Sequence, residues 1–379
     1  MKKYNLLIDG SSFNEGPNLF SLDFYLVRLI RGFYEDGVFQ VFVLVKEKNQ
    51  ALMNELVGYD VPKILLNDEN ATTFGSRLDR LLGIIPFRKE LKARGIDVVL
   101  KTDLFTCNYF FGRKYHQHMI VHDMFPYYRI EKSMRPVAYK FWRFFRRLLM
   151  NKVKYYITIS EASRKELKRL EGKDSVVVHN SLAFDYSIEE TEFDSVKDLH
   201  YILYVSRFEK YKNAETLIRA FASIKDKIKQ TLYLKGDLSS PEDYQDLVKL
   251  VSDLNLGDRV IFDRQHRSEG EMRYLYTHAD LFVHPSLQEG FGWTPIEAAV
   301  LKAPVIVSNI DVLKEVTCGK LPMFDPHSPD DLADKMIEVL NNPPSDETRN
   351  EVRDFYLNRY SLKNQIGRMT EVIIHNIEK

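Results

Sequence analysis

Cysteine is scarce in this chain. Cys107 and Cys318 are its only two cysteines, they lie far apart, and neither belongs to a Cys-x-x-Cys pair. A disulfide framework or a cysteine-ligated zinc site needs more cysteines at closer spacing. The scarcity therefore argues against both and indicates a reducing compartment, which we take to be the cytoplasm.

Long apolar runs and an excess of one charge are also missing. No stretch of roughly 18 uninterrupted apolar residues occurs, so no membrane-spanning helix is predicted. The apolar segment Tyr4–Asp9 is too short for a signal peptide and is predicted as a first strand. Lys plus Arg and Asp plus Glu both number 54, so the chain has no net positive charge that would attract nucleic acid. We expect a cytoplasmic protein without a nucleic-acid partner.

Two ligand-binding motifs are absent as well. No Asp-x-Asp pair offers the closely spaced carboxylates that commonly hold a divalent cation. No Gly-x-Gly-x-x-Gly follows the first predicted strand, which disfavours a dehydrogenase. We therefore expect no metal ion and no cofactor.

Short β-rich runs alternate with helix-length segments along both halves of the chain, which is typical of parallel α/β sheets. In the first half, helices are predicted over Leu19–Tyr34 and Ser76–Arg94, and ligands of such sheets bind beyond the carboxyl ends of the strands. The strands predicted there are Tyr4–Asp9, Gln40–Val45, Ile96–Leu100, His118–His122, Tyr155–Ile159 and Ser175–His179. A second alternation runs from Tyr201 to Ser308.

A chain of 379 residues exceeds the size at which one hydrophobic core usually divides into two. The acidic segment 185–198 lacks the regular spacing of apolar residues that helices and strands show where they face a core, so we predict a linker there. The first domain is then 1–184 and the second 199–360, and each is expected to be doubly wound. The amphipathic end of the chain, 361–379, is predicted as a helix that crosses back to the first domain.

The most informative segment runs from His284 to Ala298. A strand ends at His284, a loop containing two glycines follows, and Thr294-Pro295 predicts a helix with Thr294 as N-cap. Free amides at such a helix start attract phosphate. Glu289 precedes the turn and Glu297 is expected in the first turn of the helix, where both could accept hydrogen bonds from sugar or ribose hydroxyls. A merely capped helix with solvated carboxylates is the alternative.

A second cluster lies between a predicted strand and helix. Arg207 and Lys212 stand in this loop, where two cations can neutralise a diphosphate. Taken alone, the loop could equally be solvated. His179 and His284 are predicted to be structural.

In combination these residues resemble a known family. Glu289 and Glu297 in the form E-G-F-G-x-x-x-x-E, together with Ser206-Arg207 and Lys212-Asn213, are similar to the retaining GT-B glycosyltransferases called glycosyl transferases group 1. The resemblance covers about Tyr201 to Leu340 and is looser in the first half, at Val121-His122-Asp123 and from Tyr156 to Ser163. It implies an α/β fold of the GT-B kind, with two Rossmann-like domains facing across a cleft.

The resemblance also implies a role for each site residue. Arg207 and Lys212 would hold the donor's diphosphate as it leaves, Glu289 would bind the transferred sugar, and Glu297 the ribose. His122 would face the reacting sugar. Further donor contacts are implied for Phe291, Gly292, Trp293, Thr294, Arg264, Gln265 and Gly16. The chain departs from the family pattern at Ser206, Asp263 and Lys302, where glycine is usual, and at Lys302 a left-handed conformation with local strain is expected.

The function so implied is transfer of a hexosyl group from a UDP- or GDP-linked sugar to a glycan or a lipid-linked saccharide, with retained anomeric configuration and without a metal. Synthesis of a polysaccharide or cell-surface glycan is the natural setting. The alternative is a protein of the same fold that binds nucleotide sugars without transfer, or a nucleotide-sugar epimerase.

A basic, aromatic helix is predicted over 137–154. One face carries Val137, Phe141, Phe144, Phe145 and Leu148, and the other carries Lys140, Arg143, Arg146 and Arg147. Either the apolar face belongs to the core and the cations are merely solvated, or the cations dock on an anionic membrane. The second interpretation would place the protein peripherally at the inner face of a membrane.

Overall fold

The computed structural model describes residues 4–13, 21–66, 88–102, 104, 114–184, 186–194, 196–237 and 240–379. It divides the chain into two compact units. The first unit joins Met1–Ser181 to Leu362–Lys379, and the second is Leu182–Ser361.

The first unit is built on a seven-stranded sheet in which every pair of neighbouring strands is parallel. Its strands are β1 (Asn5–Asp9), β2 (Gln40–Lys46), β3 (Lys63–Leu66), β4 (Val98–Lys101), β5 (His116–Val121), β6 (Tyr155–Thr158) and β7 (Val176–Val177), in the order β3-β2-β1-β4-β5-β6-β7. The central strands are buried on both faces and therefore consist of nearly continuous apolar residues. The prediction missed β3, which is four residues long, and made β7 too long.

Helices connect these strands. They are α1 (Ser21–Asp36), α2 (Gln50–Val57), α3 (Arg88–Ala93), α4 (Phe125–Ser133), α5 (Pro136–Met150) and α6 (Glu161–Glu171). The hydroxyl of Ser160 accepts the amide of Ser163 and so caps α6, which ends at Gly172 in the left-handed conformation. The predicted helix Ser76–Arg94 is found only in its last part, because residues 76–87 lie outside the described residues.

The orientation of α5 contradicts the interpretation in which its apolar face belongs to the core. Phe141 and Phe144 are exposed, so they are not core residues. Arg143 and Arg146 instead turn inward, where they donate to the carbonyl oxygens of Leu170 and Leu104. The long stems of arginine explain this, because they pack on apolar neighbours while the guanidinium reaches backbone acceptors.

The second unit contains a six-stranded parallel sheet. Its strands are β8 (Tyr201–Val205), β9 (Thr231–Lys235), β10 (Val260–Asp263), β11 (Leu281–His284), β12 (Val305–Ser308) and β13 (Met323–Phe324), in the order β10-β9-β8-β11-β12-β13. The strand order reverses between β8 and β11, so loops leaving these two neighbours diverge at a switch point where doubly wound sheets bind ligands.

Helices cover this second sheet. They are α7 (Ala214–Ile224), α8 (Pro241–Asp253), α9 (Glu269–Thr277), α10 (Trp293–Val300), α11 (Asp311–Thr317), α12 (Pro329–Asn341) and α13 (Asp346–Arg359). The acidic segment expected to be a linker belongs to this unit, and its described part lies against α9. Arg273 donates to the carbonyl oxygens of Tyr186 and Ile188 at 2.6 and 2.5 Å, and the amide of Thr191 donates to Gly270.

The last helix, α14 (Leu362–Ile377), belongs to the first unit. It packs closely on α1, where a Cβ atom added to Gly32 would lie 2.5 Å from the Ile366 side chain. The Gln365 amide donates to the Tyr25 hydroxyl at 3.2 Å, and its oxygen accepts the amide of Ser181 at 3.1 Å. The C-terminal residues therefore complete the core around α1.

Candidate functional site

Two loops of the second unit meet at the carboxyl edge of its sheet. One follows β8 and spans 206–213, and the other follows β11 and spans 285–292. They come together because β8 and β11 are neighbours in the sheet. The amide of Leu287 donates to the Tyr211 carbonyl at 2.8 Å, and the Asn213 side chain donates to the Pro285 carbonyl at 3.0 Å.

A buried charged cluster holds the same two loops together. The Lys212 Nζ atom lies 2.7 Å from the Glu289 Oε1 atom, and the His284 Nε2 atom lies 2.8 Å from that same oxygen. The Lys212 and Glu289 side chains are 12% and 9% exposed, so the ion pair is largely shielded from water. The structure thus unites two of the predicted site residues across 77 positions of sequence.

His284, predicted to be structural, orients this cluster. A carboxylate only accepts hydrogen bonds, so Nε2 must donate to Glu289, and the other ring nitrogen can then accept from the Thr294 hydroxyl at 3.3 Å. The sequence contained one signal for this role, since His284 ends a predicted strand five residues before Glu289.

The cluster keeps Glu289 ionised. Burial alone would raise the pKa of its carboxyl, but the Lys212 ammonium and the hydrogen bond from His284 together hold that pKa well below its usual range. Among the described residues, both contacts to this carboxylate use Oε1. The second oxygen of Glu289 is left to accept hydrogen bonds from a ligand.

Arg207 contacts the same loop through Tyr211. Its Nη2 atom donates to the Tyr211 hydroxyl at 2.9 Å, while the Lys212 ammonium lies over the Tyr211 ring, 5.1 Å from the centroid. Burial raises the pKa of Tyr211, and a hydrogen bond to Glu209 adds to that effect, so the phenol stays neutral. Arg207 is about half exposed and can reach a ligand at the mouth of the site.

The helix after the second loop begins earlier than predicted. Helix α10 starts at Trp293 with Gly292 as its N-cap, and Thr294 is not the cap because its hydroxyl faces His284. Gly292 has φ +91°, and an added Cβ would lie 2.7 Å from the Leu313 side chain, so glycine is required there. Phe291 beside it is buried, and its ring packs edge-on against Tyr360.

The position of Glu297 also differs from the prediction. It is the fifth residue of α10 and so lies in the second turn, because the helix starts one residue before Thr294. Its side chain is buried. The negative charge of Glu297 adds to burial in raising the pKa of Tyr276 well above its ordinary value. The helix ends as the sequence predicted, with Lys302 in the left-handed conformation at φ +66°.

Arg264 and Gln265 line a pocket of about 410 Å³ beyond the end of β10. Asp263 organises its floor by accepting the Gln265 amide at 3.0 Å, the Tyr233 hydroxyl at 2.7 Å and the Arg267 guanidinium at 2.7 Å. Burial opposes ionisation here, but the bonds from Arg267 and Tyr233 lower the pKa of Asp263. The pocket therefore combines an ionised carboxylate with backbone groups of the loop.

In the first unit, His122 follows β5 directly. Its Nε2 atom lies 2.9 Å from the Thr102 carbonyl oxygen and must donate to it, which leaves the lone pair on Nδ1. That buried Nδ1 has no hydrogen-bond partner among the described residues. The Tyr25 ring packs edge-on at 4.6 Å, and the Ser163 hydroxyl donates to the His122 carbonyl, so the imidazole is fixed in place.

Gly16, the remaining predicted donor contact, lies outside the described residues. Within the described part of the chain, no group of three or more His, Cys, Asp or Glu side chains is arranged to hold a metal ion. No helix in that part is both long and apolar enough to cross a membrane.

Two family models match the chain. Residues 187–354 match the model described as glycosyl transferases group 1, and residues 23–184 match the one described as glycosyltransferase family 4. Only the two ends of the chain and a two-residue junction remain unmatched. The resemblance inferred from the sequence motifs is therefore confirmed.

Two curated relatives are mannosyltransferases by name. The O-antigen chain mannosyltransferase RfbU of Salmonella typhimurium is 31% identical over 204 residues, which cover 53% of this chain and 54% of that protein. The serotype-specific mannosyltransferase WbdA of Escherichia coli is 27% identical over 243 residues, covering 59% of this chain and 29% of that protein. The chain thus spans about half, or less, of these relatives' length.

Solved structures share the fold over the whole chain. A glycosyltransferase from Rickettsia africae superposes with a TM-score of 0.72 at 17% identity and full coverage of both chains. HepE from Anabaena, solved in complex with UDP-glucose, superposes with a TM-score of 0.69 at 16% identity, covering 98% of this chain and 99% of its own. At this identity the likeness shows the fold, which is GT-B as expected.

Proposed function

We propose that this chain, whose second unit belongs to the glycosyl transferases group 1, moves a hexosyl group from a UDP- or GDP-linked sugar to a glycan or lipid-linked saccharide. The transfer would retain the anomeric configuration and need no metal ion. The buried cluster of Lys212, Glu289 and His284 carries this proposal, because it places a fixed cation and an oriented carboxylate side by side at the switch point.

The cations serve the leaving group. When the bond to the diphosphate breaks, negative charge develops on the departing oxygen, and preorganised cations stabilise it. Lys212 has three N–H donors and uses one on Glu289, so two remain for phosphate oxygens. Arg207, which donates to the hydroxyl of the tyrosine whose ring lies under Lys212, would supply a second cation. The amides at the start of α10 add partial positive charge.

The carboxylates position the donor. Glu289 stays ionised and offers Oε2 to hydroxyls of the transferred sugar. Glu297, buried in α10, would take the ribose hydroxyls. The nucleotide base would occupy the pocket lined by Arg264 and Gln265. In the first unit, the Nδ1 atom of His122 would accept a hydroxyl of the reacting sugar.

The relatives support the sugar class and the setting. RfbU and WbdA are named as mannosyltransferases, one of them of the O-antigen chain, and HepE was solved with UDP-glucose. These names support a hexosyl donor and a role in polysaccharide synthesis. Contact with an anionic membrane through 137–154 is a separate proposal, because it concerns a surface of the first unit.

The donor can be identified from release of nucleoside diphosphate across a panel of UDP- and GDP-linked hexoses. With the active donor, Lys212→Ala and Arg207→Ala should each lower kcat about 100-fold, as loss of a preorganised donor does in other enzymes. Lys210→Ala is the matched control, because this neighbouring lysine is 76% exposed and pairs with Asp243 and Asp246. Unchanged kinetics in both site variants would overturn the site assignment.

Two further readouts test the chemistry. NMR of the first-formed product reports the anomeric configuration, and inversion would refute a retaining transfer. Activity should persist after exhaustive chelation, whereas loss with EDTA that magnesium or manganese restores would refute metal independence. A donor that binds without release of diphosphate would identify a binding protein, and an altered sugar on intact nucleotide an epimerase.

A further inference from the structure

Helix α5 presents an apolar stripe to solvent. Val137, Phe141, Phe144 and Leu148 recur at a spacing that places them on one face of a helix. Their side chains are 67%, 64%, 60% and 47% exposed. Single exposed apolar residues are ordinary, but a continuous stripe with two phenylalanines marks an interaction surface.

The opposite face of α5 is firmly attached to the first unit. Tyr139 and Met150 are buried, and the Trp142 ring packs on Tyr127 at 5.1 Å. Arg143 donates to the Leu170 carbonyl at 2.7 Å, and Arg146 packs over the Trp142 ring. The helix therefore cannot turn its stripe inward without breaking these contacts, so the stripe belongs to the outer surface.

Positive charge surrounds the stripe. Residues 134–154 contain seven Lys and Arg residues and no Asp or Glu. Lys140 and Arg147 are exposed and lie three residues after Val137 and Phe144, which places them along one border of the stripe. An apolar face bordered by cations is the pattern of a helix that lies in the plane of a membrane interface.

The end of α6 extends the positive region. The Arg147 guanidinium would lie 3.7 Å from a Cβ added to Gly172, so the C-terminal ends of α5 and α6 are adjacent. Burial and the neighbouring Arg147 charge lower the pKa of Lys173. Cations crowded in this way repel one another, and an anionic surface would relieve that repulsion.

We propose that this surface, formed by the α5 stripe, Lys140, Arg147 and Lys173, docks on a bilayer that contains anionic lipid. The phenylalanines would enter the boundary between headgroups and acyl chains, and the cations would meet lipid phosphates. A second copy of this chain fits less well, because a two-fold contact would bring the same cations face to face without any acidic partner between residues 134 and 154.

The test is co-sedimentation of the full chain with vesicles of phosphatidylcholine alone or mixed with phosphatidylglycerol. Binding should require the anionic lipid and weaken severalfold as salt rises from about 50 mM to about 500 mM. Phe141→Gln with Phe144→Gln should lower the partition coefficient at least roughly tenfold through lost apolar burial. Lys140→Gln with Arg147→Gln should lower it about tenfold through lost attraction.

Matched controls make these losses specific. Tyr34→Gln with Val38→Gln removes two exposed apolar side chains of the first unit that lie outside α5, and Lys227→Gln with Lys249→Gln removes two exposed cations of the second. Both double control variants should bind anionic vesicles as the unmodified chain does. Phe141→Trp should bind too, and its emission should shift to shorter wavelength on anionic vesicles.

Several results would overturn the proposal. These are failure of the unmodified chain to sediment with anionic vesicles, equal sedimentation with neutral ones, and unchanged binding by the double phenylalanine variant. A further contradicting result could come from ultracentrifugation without lipid. If the chain forms a dimer that the phenylalanine substitutions dissociate, the stripe binds a second copy of this chain and not a bilayer.

Discussion

At the scale of single residues, the candidate site depends on a charge pair held out of water. A buried ion pair contributes only if hydrogen bonds compensate the lost hydration of both groups. Glu289 meets that condition through Lys212 and His284, which reach the same oxygen from two different loops. The pair is therefore fixed in one geometry before a donor arrives, which is what stabilisation of developing charge requires.

The depressed pKa of Glu289 predicts a particular pH dependence of stability. Because the folded-state pKa lies below that of an unfolded glutamate, about 4.3, the stabilisation is complete above that value and is lost as pH falls through the folded one. The free energy of unfolding of the unmodified chain minus that of Glu289→Gln should be constant down to about pH 5 and then decrease. Urea titrations followed by circular dichroism measure it.

Glu215→Gln is the control for this pH series, because Glu215 is an exposed residue of α7 that pairs only with Arg219 among the described residues. The difference in free energy of unfolding between Glu215→Gln and the unmodified chain should hardly vary with pH. If the corresponding difference for Glu289→Gln stayed constant down to about pH 3, Lys212 and His284 would not be holding the carboxylate ionised.

Glu297 should act on donor binding and not on the chemical step. Glu297→Gln keeps the shape of this buried side chain but weakens its hydrogen bonds to the ribose, so KM for the donor should rise about tenfold with kcat nearly unchanged. Initial rates over a range of donor concentrations give both constants. A lower kcat at constant KM would contradict the assignment.

At the scale of elements, α10 is delimited by left-handed residues at both ends. Gly292 adopts this conformation before the helix and Lys302 after it. Only at Gly292 does the residue type suit the backbone, since a side chain at positive φ costs about 1–2 kcal/mol. The short helix is thereby stopped after Val300, and its N-terminal amides stay at the edge of the sheet.

Lys302→Gly should raise the free energy of unfolding of the second unit by about 0.5–1 kcal/mol. Relief of strain at φ +66° outweighs the greater backbone entropy that glycine has in the unfolded chain. Thermal and urea unfolding measure this change. Lys302→Ala removes the same side chain but keeps Cβ, so it should give no gain, and equal stabilisation by both variants would point to the lysine charge instead.

At the scale of the whole molecule, the chain returns to its first unit after completing the second. Helix α14 contributes Ile366, Met369 and Ile373 to the core of the first unit, although its Gln365 lies 184 positions after Ser181. The first unit therefore cannot reach its final packing until the last residues of the chain are available.

Removal of 362–379 should destabilise the first unit selectively. The deletion would expose the face of α1 around Gly32 and leave the Tyr25 hydroxyl without Gln365. Hydrogen exchange read by mass spectrometry should show faster exchange in α1 and β1 and little change in α7 to α12. Equal loss of protection in both units, or none in either, would contradict this role of α14.

Local patterning was enough to predict most of the fold. Most strands of the two sheets contain runs of apolar residues, because parallel strands are buried on both faces, and turn residues delimit them. Strands β3 and β13, of four and two residues, escaped prediction. The first residue of α10 was misplaced because Thr294-Pro295 is a strong local capping signal that the left-handed Gly292 overrides.

The sequence by itself determined the two α/β sheets, the family resemblance and which loops carry the charged residues of the candidate site, because these follow from local periodicity and motif spacing. Only the tertiary structure decided that His284 orients Glu289, that both contacts fall on one carboxylate oxygen, and that α5 turns Phe141 and Phe144 outward. Those outcomes depend on which strands become neighbours and which helix face finds backbone acceptors for its arginines. Such long-range competition between packing and hydrogen bonding leaves no periodic trace in the sequence.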